Sequence, residues 1–194
     1  MSDAYDQLEV TSAAELRRWL KSHHNSSPGI WLVTYKKGAG EKYLAYEDIV
    51  CEALCYGWID SKGRTLDTLR SQLLLTPRKP SSSWSRPNKE RVARLESAGR
   101  MAAPGRAMVE LAKASGTWSA LDDVENLIEP SELATALNAH PAARANWDAF
   151  PRSTRRATLE WISNAKRPVT REKRIAETVD LAAQNLRAQQ WPRR

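Results

Sequence analysis

Between Glu52 and Lys89 the chain changes its period twice, and that switch limits the folds open to it. Up to Tyr56 the apolar positions keep helical spacing: Ile49, Ala53 and Tyr56 form one stripe, with Val50 and Leu54 beside it. Glu47 and Asp48 stand in the first turn, where the helix dipole favours negative charge. Gly57 follows the last apolar position, as a left-handed C-terminal cap requires. Strand-like runs then extend from Trp58 to about Leu66, with a bend near Lys62-Gly63, and from Leu69 to Thr76. Pro77 cannot donate to a ladder, so the sheet is expected to stop there. A helix feeding strands that end in a Pro/Ser/Arg loop predicts an antiparallel sheet with helices packed on one face.

Gly29 to Tyr35 (GIWLVTY) is β-branched and aromatic with no internal breaker, and reads as a further strand. The predicted class is α+β: a small antiparallel sheet of about three strands with helices in the N-terminal half, and a helical C-terminal half. Residues 1–10 are polar and read as a frayed start. Ser12 with Glu15 forms a capping box for a helix over about 13–23. Helices are predicted over about 87–98, from Pro104 to Ser115 with Met108, Leu111 and Ala112 inward, then over 131–139, 142–150, 153–166 and from Thr170, with a loose tail from Gln189. Residues 119–130 are acidic and turn-rich. The expected division is therefore an α+β subdomain (1–118), an acidic linker (119–130) and a helical C-terminal subdomain (131–194).

At 194 residues the chain can bury a core without disulfides or metal. Its two cysteines, Cys51 and Cys55, lie four apart on one helix face. They form neither a CxxC motif nor half of a zinc site, and packing is the expected role. Adjacent His23 and His24 fall in a turn and read as solvated. No cofactor and no metal are expected. The first thirty residues lack the charged start, apolar stretch and cleavage site of an export leader, and no apolar run reaches spanning length. A cytoplasmic location without membrane insertion is the expectation.

The net charge of +7 is unevenly placed: about −1 over 1–77, +6 over 78–106, −5 over 107–140 and +7 over 141–194. Two basic blocks suit a phosphate-bearing small molecule or nucleic acid. The first surrounds TPRKPSSSWSRPNK (Thr76 to Lys89), where serines and arginines precede a helix start, the elements of an anion site. Arg78, Ser83, Trp84, Ser85, Arg86 and Asn88 are its candidate donors and stacking platform, with Trp58 and Asp60 behind them. The second block holds Arg155, Arg156, Lys166, Arg167, Arg171 and Arg174; it reads either as a nucleic-acid face or as charge paired with the acidic linker. Two other classes stay open. An enzyme would use Asp60 as base, a serine or Cys55 as nucleophile and Arg78 as anion stabiliser. An adaptor would bind a protein partner.

ALCYGWID (Ala53 to Asp60), TPRKPSSSWSRPN, the Gly99-Arg100-Met101 helix end, Ala165-Lys166-Arg167, and Thr170-Arg171 followed by Arg174-Ile175 together resemble the YdeI/OmpD-associated family, whose members are often labelled bacteriocin-protection proteins. The resemblance spans roughly residues 12–185. It implies a link to resistance against bacteriocins and antimicrobial peptides, and an outer-membrane porin partner. It brings no catalytic residue set. The family has also been described as periplasmic, which the missing export leader does not match.

Overall fold

In the computed structural model, residues 5–188 are described, so the loose tail expected from Gln189 lies outside them. The chain divides into two units, Met1–Ser119 and Ala120–Arg194. Each has its own hydrophobic core.

The N-terminal unit is α+β. Its strands are β1 (Asp6–Glu9), β2 (Ile30–Tyr35), β3 (Trp58–Thr65) and β4 (Arg70–Pro77), in the order β1-β2-β4-β3. Its helices are α1 (Ala13–His23), α2 (Tyr46–Cys55), α3 (Arg86–Ser97) and α4 (Ala103–Ser115). Two expectations need correction. The sheet has four strands rather than three, and it is mixed: β1 runs parallel to β2, while β4 is antiparallel to both β2 and β3. The supposed frayed start supplies the extra strand. Its sequence, DQLE, has no β-branched residue, so the ladder to β2 and the packing of Leu8 on the core hold it, not intrinsic preference.

Strand alternation sorts the sheet into two faces. Ile30, Leu32, Trp58 and Leu75 join Leu16 and Leu20 of α1, Ile49, Val50, Ala53 and Leu54 of α2, Val92 and Leu95 of α3, and Val109 and Ala112 of α4 in one core. Full burial of each leucine is worth about 2 kcal/mol. On the other face Trp31 lies under the Arg64 guanidinium, 3.9 Å from the ring centre, with the Lys62 ammonium at 5.5 Å. A register shift between Asp60 and Gly63 produces the expected bend in β3.

The capping box of α1 forms in part as read: Ser12 Oγ accepts from the Glu15 amide at 3.3 Å, while Glu15 reaches back to the Thr11 amide at 2.7 Å. Gly57 adopts φ +73° and turns the chain from α2 into β3. Inside α4, a Cβ on Gly105 would stand 2.3 Å from the Cys55 carbonyl oxygen, so only glycine permits this approach of α4 to the end of α2. Leu111, expected inward, is exposed; Val109 takes its place in the core.

The C-terminal unit is helical: α5 (Asp122–Glu125), α6 (Ser131–Asn138), α7 (Pro141–Ala149), α8 (Arg152–Ser163) and α9 (Pro168–Ala183). Leu133, Leu137, Trp147, Leu159, Ile162, Ile175 and Val179 fill its core. The segment 119–130, expected as a linker, instead carries α5 and places Leu121 and Val124 in that core. Two of its acids are paired within the unit: Glu129 accepts from Arg144 at 2.7 Å and from Trp147 Nε1 at 2.7 Å, and Glu125 pairs with Arg156 at 2.7 Å.

Candidate functional site

The residues singled out near the sheet end go to four different places. Trp58 is buried, donates its Nε1 to the His24 carbonyl at 3.0 Å and meets the edge of Trp19. Asp60 accepts the Tyr46 hydroxyl at 2.7 Å. Asn88 is buried and accepts from Arg91 at 2.8 Å, and Arg91 in turn pairs with Glu47.

Arg78, Ser83 and Trp84 form the fourth group. The Arg78 amide donates to the Gly57 carbonyl, and its Nη2 donates to the carbonyls of Ser82 and Ser83. Its guanidinium lies 3.9 Å over the Trp84 ring. It is only 4% exposed, and burial pushes its pKa down to about 10. Its Nε has no hydrogen-bond partner. Trp84 in turn packs against Trp118, the rings tilted by 47° with centres 5.0 Å apart. Carbonyl acceptance and ring stacking make this arginine a staple that shapes the loop. Ser85 occupies the N-cap position of α3 without a side-chain capping bond, and Arg86 is exposed.

Both cysteines are free and buried, and burial pushes both thiols up. A thiol so placed lacks the lowered pKa and access of a nucleophile, and the partner Asp60 has in the fold is Tyr46, not a cysteine or serine.

In the C-terminal unit much of the basic cluster is satisfied internally. Arg156 bridges Glu125 at 2.7 Å and Glu160 at 2.8 Å. Arg171 lies 3.5 Å from Glu132. Arg174 donates to the Trp161 carbonyl and stacks over its ring. Arg155 is half-buried with an unpartnered Nε, while Lys166 and Arg167 are exposed.

One basic surface lies outside both groups. Ala14, Arg17, Arg18 and Lys21 occupy positions i, i+3, i+4 and i+7 of α1, one stripe of the helix. With Tyr56 they line a groove of about 390 Å³ that contains no carboxylate. Arg17 is fixed in place: Nη1 donates to Glu52 at 2.8 Å, Nη2 to the Arg100 carbonyl at 2.8 Å, and the guanidinium lies 5.6 Å over the Tyr56 ring. Burial works against its charge, but the bonds to Glu52 and Cys55 outweigh that, and its pKa is raised. Arg18 and Lys21 extend into solvent beside it. The four-residue stripe was readable in the sequence; its facing partner, Tyr56, was not, because that pairing spans two helices.

Two family matches divide the chain. Residues 8–108 match the family described as a domain of unknown function (DUF8412). Residues 126–185 match the family described as bacteriocin-protection, YdeI or OmpD-associated. The latter match is narrower than the resemblance noted in the sequence: it contains the Ala165-Lys166-Arg167 and Thr170-Arg171 pieces, whereas ALCYGWID and the TPRKPSSSWSRPN block fall in the former. No curated protein and no solved structure matches the chain.

Proposed function

The chain belongs to the family described as a domain of unknown function (DUF8412), and we propose that its N-terminal unit is an anion-binding module whose ligand lies in the groove between α1 and Tyr56. The observation that carries this reading is the composition of the groove: three cationic side chains and one aromatic, with no acidic residue in its lining. Glu52 sits behind Arg17 and holds it at a set angle, which lowers the ordering cost of ligand capture. Arg18 can present a planar fork to phosphate and Lys21 adds a point charge, while Arg17, bonded to Glu52 and the Arg100 carbonyl, adds fixed positive charge behind them. Ala14 and Tyr56 provide an apolar floor, so the ligand is a small phosphate ester rather than bare phosphate. In this reading the Arg78–Trp84 stack shapes the loop and does not touch the ligand. Buried thiols and the Asp60–Tyr46 pair favour binding over nucleophilic chemistry. A cytoplasmic location, where phosphate esters abound, suits it.

The test is a calorimetric titration of the full chain with adenosine monophosphate and with inorganic phosphate, at about 50 and about 200 mM salt. Binding should favour the ester, weaken as salt rises, and fall about fivefold for each of Arg18→Ala and Lys21→Ala. Absence of binding at low salt, or the parent's affinity retained in both variants, would exclude the groove. At the level of the cell, the name of the family matching residues 126–185 leads us to expect a role in bacteriocin protection. Survival under bacteriocin challenge, with and without the gene, tests that separately.

A further inference from the structure

A second cleft, sharing no residue with the α1 groove, lies where the ends of β2, β3 and β4 meet the 3₁₀ turn Lys37–Lys42 and the start of α2. Its volume is about 440 Å³, within the range of small-ligand sites. Leu44 and Ile49 form part of its floor, Thr65 and Ser71 supply hydroxyls from paired positions of β3 and β4, and Tyr43 and Tyr46 stand at its mouth.

Three further observations bear on what it holds. The first is exposure. Of the large apolar residues exposed in the N-terminal unit, Tyr43, Tyr46, Leu66 and Leu69 gather at this end of the sheet, and only Leu111 lies elsewhere among the described residues. Tyr46 is 50% exposed although it begins a helix whose other apolar residues are all buried. The second is an unspent donor. Gln72, 2% exposed and in the lining, has no hydrogen-bond partner for its Nε2. The third is charge. Lys36, the lysine in the lining, spends its ammonium on the carbonyls of Asp67 and Thr68, at 2.7 and 3.4 Å. Arg64 turns its Nε to Gln72 and its face to Trp31. Neither is aimed at a ligand anion.

A site with tyrosine rings, threonine and serine hydroxyls and one side-chain amide donor matches a neutral ring that has an apolar C–H face and a rim of hydroxyls. The tyrosine rings pack against the C–H face. The side-chain oxygens exchange hydrogen bonds with ligand hydroxyls that would otherwise be made to water. We propose that this cleft is a saccharide-binding site, occupied by a mono- or disaccharide and independent of the anion groove on α1.

The test uses the full chain with glucose, N-acetylglucosamine and maltose as probes, read by saturation-transfer NMR and by amide shift mapping. At least one probe should receive saturation, and the amide shifts should centre on Thr34, Tyr43, Tyr46, Thr65 and Ser71. Tyr43→Ala and Ser71→Ala should each weaken binding about fivefold or more. The double variant Arg18→Ala/Lys21→Ala should bind the sugar as the parent does, which separates this proposal from the anion site. No saturation transfer to any probe overturns the proposal. Shifts centred elsewhere, or unchanged affinity in folded Tyr43→Ala and Ser71→Ala proteins, overturn it as well. Because shift mapping uses the unaltered chain, the outcome does not depend on either variant folding.

Discussion

Arg17 and Glu52, 35 positions apart in sequence, meet at 2.8 Å where α1 crosses α2. Glu52 is 2% exposed, and its other oxygen accepts from Arg100. A carboxylate this deep is tolerated because two guanidinium groups neutralise it. The pair therefore ties the first helix, the second helix and the loop after α3 to one buried atom group.

Glu52→Gln keeps the shape and removes the charge. We expect a loss of about 1–3 kcal/mol, toward the lower end because solvent reaches both arginines. Urea denaturation followed by tryptophan fluorescence measures it. An unchanged midpoint would mean that the triad is held by packing alone.

Gly105→Ala should destabilise by about 1–3 kcal/mol, because the added Cβ meets backbone that cannot step aside. Gly38→Ala is the control: nothing lies within 4 Å of its Cβ position, and stability should stay close to the parent. Thermal melts of the two variants side by side decide the point.

Tyr46 carries a pH signature. Burial and the bond to Asp60 push its pKa up from 10 to about 12. The neutral phenol is thus favoured by the fold: the stabilisation is complete below pH 10 and is lost as pH rises through about 12. Ultraviolet titration of tyrosinate should show a late step that Tyr46→Phe removes and Asp60→Asn moves toward 10. A late step that persists in Tyr46→Phe would assign it to another tyrosine.

Thiol chemistry gives a reading of local opening. Cys51 and Cys55 are buried with raised pKa values, so iodoacetamide near neutral pH should leave the native protein unmodified and label both once urea unfolds it. Rapid labelling of Cys55 in the native state would restore it as a candidate nucleophile.

Local signals in the chain carried most elements. Ser12 with Glu15 announced α1, Gly57 announced the end of α2, and the breaker-free run before Tyr35 announced β2. What failed to show was whatever depends on a distant partner. β1 is invisible because DQLE becomes a strand only beside β2. The 119–130 segment looked like a linker because it is acidic and turn-rich, yet Leu121 and Val124 suffice once a core exists to receive them. The site reading met the same limit. Arg78 and Trp84 share a loop in sequence and in space, but whether an arginine faces solvent or a ring is a tertiary fact. Asp60 stood out in the sequence as a polar residue among apolar ones; Tyr46, fourteen positions earlier, could not be named as its partner.

The strand order carries a consequence for synthesis. β4 is the last strand to leave the ribosome, yet it occupies an interior place, between β2 and β3. Until residue 77 has emerged, IWLVTY must wait with one side of its backbone unpaired, and β3 has no neighbour at all. The nascent chain thus presents an open, apolar edge for the time needed to make about forty residues beyond β2, at about 5–20 residues per second. That interval of several seconds is when a holding chaperone would find this protein, and when its yield is most exposed to growth temperature.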